Sequence, residues 1–336
     1  MLVAADAEAA PKPDVSDLEP QTIEVTAHRI DALDPADPER TRFGKLIWLG
    51  GLVLSSDSPW FGGYSGLALD ADGEHLVAIS DSGSWLMARL TRAGGRLQGL
   101  ADVRIGPLLG MKGTVPGKDR ERDSEGIALI EGSLAKGDVL ISYEQAIRIA
   151  KHAISDEGVG PALELLPLPS EAKHLSANKS LESVAMLKAG PNKGAVVTFA
   201  EHKRSSDGHH IGWLLKGKAT HQLLLADNDR MDISDIAALP DGGLIVLERD
   251  FSWAEGLHVR VERVAAEDID PDKVMTGDTL LQGDLSYEID NLEGVTVSPA
   301  ADGGLILTLI SDDNFSVLQR TLLLQLELPA AKETAQ

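Results

Sequence analysis

Cysteine is absent from the 336 residues, which rules out disulfides, thiolate metal sites and a cysteine nucleophile. No run of 18 apolar residues occurs, so no stretch reads as a membrane-spanning helix. Helical 3.6-residue periodicity is hard to find anywhere in the chain. Also missing are a Walker A sequence, a dinucleotide fingerprint and the H-E-x-x-H zinc pattern. Gly63-Tyr64-Ser65-Gly66 departs from the G-x-S-x-G elbow and no strand-to-helix context follows it, which argues against a serine nucleophile. Positive charge is scarce: 31 basic residues face 53 acidic ones, for a net charge of −22. A field of that sign repels nucleic acid and anionic membranes and makes cations natural partners. A well-solvated acidic surface would give the same balance.

What remains is a chain that is 43% hydrophobic and long enough to bury a sizeable core. About the first 20 residues are rich in Ala, Asp, Glu and Pro and carry no apolar h-region. They read as the start of an exported protein, periplasmic or secreted, whose signal has been removed. A cytoplasmic protein with a loose start fits equally well. The expected division is a flexible segment over 1–42, one domain over 43–329 and a tail over 330–336, in a monomer.

Short apolar runs broken by Gly, Asp, Pro and Asn continue from Lys45-Leu46-Ile47-Trp48-Leu49 to Leu328. One motif recurs within them: a small or acidic residue, a small residue, then a strand opening on an aliphatic side chain. Its copies begin at Ser65, Glu125, Glu182, Ser234 and Glu293, spaced 60, 57, 52 and 59 residues apart. Each leads into a reversal such as Asp70-Ala71-Asp72-Gly73 or Pro240-Asp241-Gly242-Gly243, and Asp-Gly between apolar runs is a strong hairpin signal. The return strands end in Ser80-Asp81, Tyr143-Glu144, Ala200-Glu201, Leu247-Glu248 and Ser311-Asp312. Two further strands fit in each unit.

A four-stranded unit repeated at this period predicts an all-β fold, a β-propeller. The count gives five blades, or six if residues 22–30 belong to a further unit. The 36 residues from Glu293 to Pro329 and the 22 from Phe43 to Ser65 together make one more unit. The last blade therefore takes one strand from Lys45–Leu54, and pairing of N- and C-terminal strands closes the ring. A β-sandwich is the alternative, and it leaves the period unexplained.

An antiparallel hairpin brings its free ends together, so the residue opening one arm lies beside the residue closing the other. That interval is 19 residues in Glu125/Glu144, Glu182/Glu201 and Glu293/Asp312. The expectation is a rosette round the axis: Ser65 with Asp81, Glu125 with Glu144, Glu182 with Glu201, Asp235 with Glu248, and Glu293 with Asp312. So many carboxylates cannot all ionise without compensation. Hard oxygen ligands in such number suit Ca2+, with Mg2+ as the alternative. The expected metal ligands are Asp81, Glu125, Glu144, Glu182, Glu201, Glu248, Glu293 and Asp312. Arg122, Arg148, Arg249 and Arg260 stand close in sequence and can balance part of the charge. Inter-blade salt bridges are the plainer reading of the acids, and a turn cap that of Asp235 or Asp313. His202, Lys203, Arg204, His209 and His210 read as a solvated basic loop.

Ser65-Gly66-Leu67, Ser80-Asp81, Arg122-Asp123-Ser124-Glu125-Gly126, Leu181-Glu182-Ser183 and Asn291-Leu292-Glu293-Gly294 together resemble the bacterial phytase-like domain, described as esterase-like activity of phytase. The resemblance runs over about residues 43–328. It implies a β-propeller, often exported, with calcium-supported phosphoester hydrolysis in an acidic channel. For a metal-dependent hydrolase of phosphate esters on this chain, the expected catalytic residues are Glu125, Glu144 and Arg122, and the expected substrate contacts are Arg148, Arg249 and Ser65. The expected partner is a small ester or phosphoester. A propeller lactonase or carboxylesterase using one divalent ion, and a non-catalytic module binding a cation or other ligand, are the competing functions.

Overall fold

Alternation decides the architecture. Runs such as Leu244-Ile245-Val246-Leu247 are apolar at every position, which suits a strand buried on both faces. A computed structural model, which describes residues 11–175, 180–227, 229–252 and 254–330, shows how both faces are used. Leu244 and Val246 pack toward one neighbouring sheet, and Ile245 and Leu247 toward the other. The sheets stand like blades round an axis, with one apolar cluster between each pair of neighbours.

There are five such sheets, as the repeat count predicts. Blade one runs outward through Tyr64–Leu69, His75–Ser80, Ser84–Ala93 and Arg96–Pro107. Blade two comprises Ser124–Ser133, Lys136–Tyr143, Arg148–Ser155 and Gly158–Leu165. Blade three has Ala185–Met186, Val196–Arg204, His210–Lys216 and Ala219–Leu225, and blade four Asp232–Ala238, Leu244–Ser252, Gly256–Val264 and Asp278–Asp284. Blade five joins the ends of the ring: Leu292–Pro299, Leu305–Ser311 and Thr321–Leu328 are completed by Leu46–Ser55. Thr321 lies opposite Leu54 and Leu324 opposite Gly51, so closure is by antiparallel pairing of the two chain ends.

Three outer edges are covered by short added strands, which removes templates for unwanted pairing. Gln21–Thr22 pairs with blade one, Thr26–Ile30 with blade five, and Val274–Met275 lies parallel to blade three. Residues 22–30 therefore add edges to existing blades and form no sixth one. The sequence pointed to a flexible segment through residue 42. Of it, residues 11–42 are laid along the ring, with Val15, Leu18, Ile30 and Leu33 buried. The first ten residues and all of the expected tail except residue 330 lie outside the described residues.

The five innermost strands pack directly on one another round the axis. The small residue of each repeat makes this approach possible. A β-carbon on Gly66 would stand 2.5 Å from the Glu125 carbonyl oxygen, and one on Gly126 would stand 2.8 Å from the Val184 nitrogen. Hydroxyls bridge the same joints: Ser65 Oγ donates to the Ser124 carbonyl at 2.6 Å, and Ser124 Oγ to the Ser80 carbonyl at 2.7 Å. Gly126→Ala forces backbone apart at the joint between blades two and three and is expected to cost about 1–3 kcal/mol. Chemical denaturation measures this, and an unchanged midpoint contradicts the close approach described.

Candidate metal centre

The site grows out of a bulge. Where each innermost strand begins, it holds one residue more than its partner. In blade one Tyr64 pairs with Ser80 and Gly66 with Ile79, leaving Ser65 unopposed. The same slip occurs between Ile233 and Asp235 in blade four and between Leu292 and Gly294 in blade five. Blade two has it between Ile127 and Ser124. A bulge bends the strand and re-aims the extra side chain. Just past it, the return strand is pinned back. The amide N–H groups of Asp81, Glu144, Glu201 and Asp312 donate to the carbonyls of Gly63, Asp123, Ser180 and Asn291 at 2.9, 3.0, 3.0 and 2.9 Å.

Aligned on that pin, the opening positions are Ser65, Glu125, Glu182, Ser234 and Glu293. The return positions are Asp81, Glu144, Glu201, Arg249 and Asp312. Blade four differs from the expected rosette by one residue, because Arg249 pairs with Asp232 and takes the place assigned to Glu248. Glu248 is turned into the blade, where its carboxylate accepts from Arg260 Nε at 2.7 Å and lies 3.1 Å from His210 Nε2. Asp235 falls at the glycine position and accepts from the Val295 N–H at 2.9 Å, tying blade four to blade five. It therefore caps a neighbouring strand. Asp313 also caps backbone, accepting from the Gly63 and Phe315 N–H groups.

Among the described residues eight carboxylates thus meet at one end of the axis: Asp81, Asp123, Glu125, Glu144, Glu182, Glu201, Glu293 and Asp312. Further along, the axis is lined by apolar residues of all five blades, including Ala68, Ile127, Val184, Ile236 and Val295. Oxygens of Asp123, Glu125 and Glu144 lie within 4.8 Å of one another, and so do those of Glu144, Glu182 and Glu201. Both groups contain Glu144. Each offers only hard oxygen donors at a spacing that one divalent ion can bridge.

Burial and repulsion dominate the electrostatics. Burial pushes Glu125, Glu182 and Asp312 well above the ordinary carboxylate range, and their acidic neighbours add to it. Burial raises Glu144 to about 7, helped by Asp123 and Glu201. It raises Asp81 to about 6, although the Lys12 ammonium pulls the other way. Glu293 is also raised by burial, with Arg249 opposing. Burial alone would lower the Arg249 guanidinium, but Glu293 at 2.9 Å and Glu201 at 3.5 Å outweigh it and raise it.

Other residues singled out in the sequence stand elsewhere. Arg122 is buried beside blade two, donating to the Pro116 carbonyl at 2.8 Å, Asp14 at 2.7 Å and Ser16 Oγ at 2.9 Å, so its guanidinium is not in the ring. Arg148 stacks on Tyr143 with its guanidinium carbon 3.5 Å from the ring centroid, and binds the carbonyls of Ala146 and Glu121. Ser65 sits at an opening position, but its hydroxyl is engaged between blades. The basic stretch does not form the expected solvated loop. His210 is fully buried against Glu248, and Arg204 binds Asp227 and Asp232. His202 lies between Asp232 at 2.6 Å and Glu201 at 2.9 Å, and those two bonds raise it to about 9.

Two members of the ring are not among the expected metal ligands, Asp123 and Lys12. Asp123 was visible, since the place two residues before the opening position is polar or acidic again in Ser180, Asp232 and Asn291. Lys12, whose ammonium joins Asp81 and Asp123, carried no such signal. Residues 59–315 match the phytase-like family, described as esterase-like activity of phytase. No curated protein matches the chain.

A raised carboxyl has a definite consequence for stability. Between its ordinary value of 4.5 and its folded value of about 7, Glu144 stays protonated in the fold while the unfolded chain has lost that proton. Its contribution is thus most favourable below the ordinary value and is lost as pH rises through 7. The melting temperature in chelator is expected to fall over that interval, and Glu144→Gln to flatten the fall. A rise over the same interval, or an unchanged slope in the variant, contradicts the crowded ring.

Proposed function

The chain belongs to the phytase-like family, whose description is esterase-like activity of phytase, and from that premise we propose that it hydrolyses phosphate esters at the acidic end of the axis with a divalent cation. Family and fold support a phytase- or esterase-like hydrolase. The phosphoester and the cation are the reading we add.

The observation that carries this reading is the pair of oxygen clusters sharing Glu144. Asp123, Glu125 and Glu144 would hold one ion, and Glu144, Glu182 and Glu201 a second. Ca2+ suits all-oxygen sites of this flexible kind, with Mg2+ as the alternative. An ion held there would supply polarisation of a phosphoryl oxygen and a more acidic water, the chemistry that ester hydrolysis near neutral pH needs. Arg249 is the guanidinium of the ring. In exchanging Glu201 and Glu293 for an incoming phosphate, its planar fork would orient two oxygens.

A second reading has its own observation. On blade five Asn291 Nδ2 donates to Glu293 Oε1 at 2.8 Å, with Asp312 on the adjoining strand. A Glu, Asn and Asp set of that kind suits a one-ion lactonase or carboxylesterase.

An aryl phosphate, an aryl acetate and a lactone separate the two. Phosphate hydrolysis is expected to vanish in excess chelator and to return with Ca2+. Glu182→Gln should lower it by more than the roughly 10–100-fold that outer-shell partners of a metal cost. Phosphate turnover undiminished by chelator rules out this mechanism, and turnover confined to acetate or lactone favours the second reading.

A further inference from the structure

Proline, charge and small residues make Pro11–Leu18 an unremarkable stretch of sequence, yet it is among the most firmly tied segments outside the blades. Asp14 forms an ion pair with Arg122 Nη1 at 2.7 Å and accepts from the Ser16 N–H and hydroxyl at 3.0 and 2.7 Å. Ser16 Oγ in turn accepts from Arg122 Nη2 at 2.9 Å. Trp60 Nε1 donates to the Asp14 carbonyl at 3.0 Å. Val15 and Leu18 are buried against Ile105, with Ile23, Trp60 and Val115 packed round them. These anchors explain why Arg122 is buried away from the ring: it clamps this segment.

The clamp sets Lys12 at the edge of the acids. Its Nζ stands 2.5 Å from Asp123 Oδ1, 3.1 Å from Asp81 Oδ2 and 3.4 Å from the Asp81 carbonyl oxygen. Three oxygens round an ammonium make a built cation site, filled in cis. Asp123 is also one of the three carboxylates of the first oxygen cluster. An ammonium on Asp123 offsets the negative charge that this carboxylate offers a divalent ion and repels that ion at short range, so the two compete.

We propose that residues 11–18 form an intramolecular strap whose Lys12 ammonium competes with a divalent cation for Asp123, so that loading the acidic ring displaces the strap. The proposal rests on the metal-binding reading above. Strap-closed protein would bind the ion with an affinity reduced by the fraction of molecules in which the strap is open. The strap thereby sets the cation concentration at which the ring fills. It also shields the acids from one another until it does, in the way an exogenous cation would.

The test is calorimetric titration of the full chain with CaCl2, comparing it with Lys12→Gln and with Asp14→Ala. Both variants are expected to bind Ca2+ up to about tenfold tighter, the factor that release of a strap closed in nine molecules of ten gives. Asp14→Ala is the discriminating one. It removes a negative charge, which by long-range attraction alone would weaken cation binding, whereas loss of the Arg122 clamp strengthens it. Hydrogen exchange at the amides of Val15–Leu18 should also rise when Ca2+ is added to the unaltered chain. Ca2+ binding of equal strength in all three proteins, with exchange at those amides unmoved by the ion, overturns the strap and leaves the metal reading standing. Absence of Ca2+ binding from all three overturns the metal reading and the competition with it.

Discussion

Mutual repulsion among carboxylates at the axis is what the rest of the molecule has to withstand. Two such groups about 5 Å apart repel by about 3 kcal/mol at an effective dielectric near 20. Among the described residues eight meet here against Arg249, Lys12 and His202. The opposing force is spread over five apolar clusters between blades, where each fully buried Leu, Ile or Val contributes about 1.5–3 kcal/mol. Because these clusters and the hydrogen bonds between blades hold the innermost strands in contact at Gly66, Gly126 and Gly294, relaxing the acids by moving them apart would open the joints. The acids instead take up protons or accept cations. The shifts at Glu125, Glu182 and Asp312 are the first response, and Arg249 and the Lys12 strap are the second.

Departure from five-fold symmetry gives the ring a direction. Blades two, three and five each bring a glutamate and a second acid, blade one brings Ser65 with Asp81, and blade four brings Ser234 with Arg249. The oxygen clusters therefore lie over blades two and three, and the guanidinium lies beyond them on blade four.

Much of this was legible before any coordinates. Asp-Gly reversals between apolar runs fixed the hairpins, the period fixed the blades, and the leftover lengths at the two ends showed how the ring closes. Hairpin geometry then placed Glu125, Glu144, Glu182, Glu201, Glu293, Asp312 and Asp81 at one end of the axis. The failures have physical causes. A one-residue bulge is invisible to a count of periods, so Glu248 was chosen where the backbone presents Arg249. Arg122 and Arg148 stand near the acids in sequence, but strand direction and stacking send their guanidinium groups elsewhere. Lys12 reaches Asp123 across 111 residues, a contact made by clamping an irregular segment that has no period to read.

The central claim is that the acidic end of the axis is a divalent-cation site. Anomalous diffraction from crystals soaked in Ca2+ tests it most directly. The account predicts ordered peaks between Asp123, Glu125 and Glu144 or between Glu144, Glu182 and Glu201, with the Lys12 ammonium moved off Asp123 when the first is filled. Crystals that show anomalous peaks only at the outer surface, with Lys12 still on Asp123 and Arg249 still on Glu201 and Glu293, would contradict it.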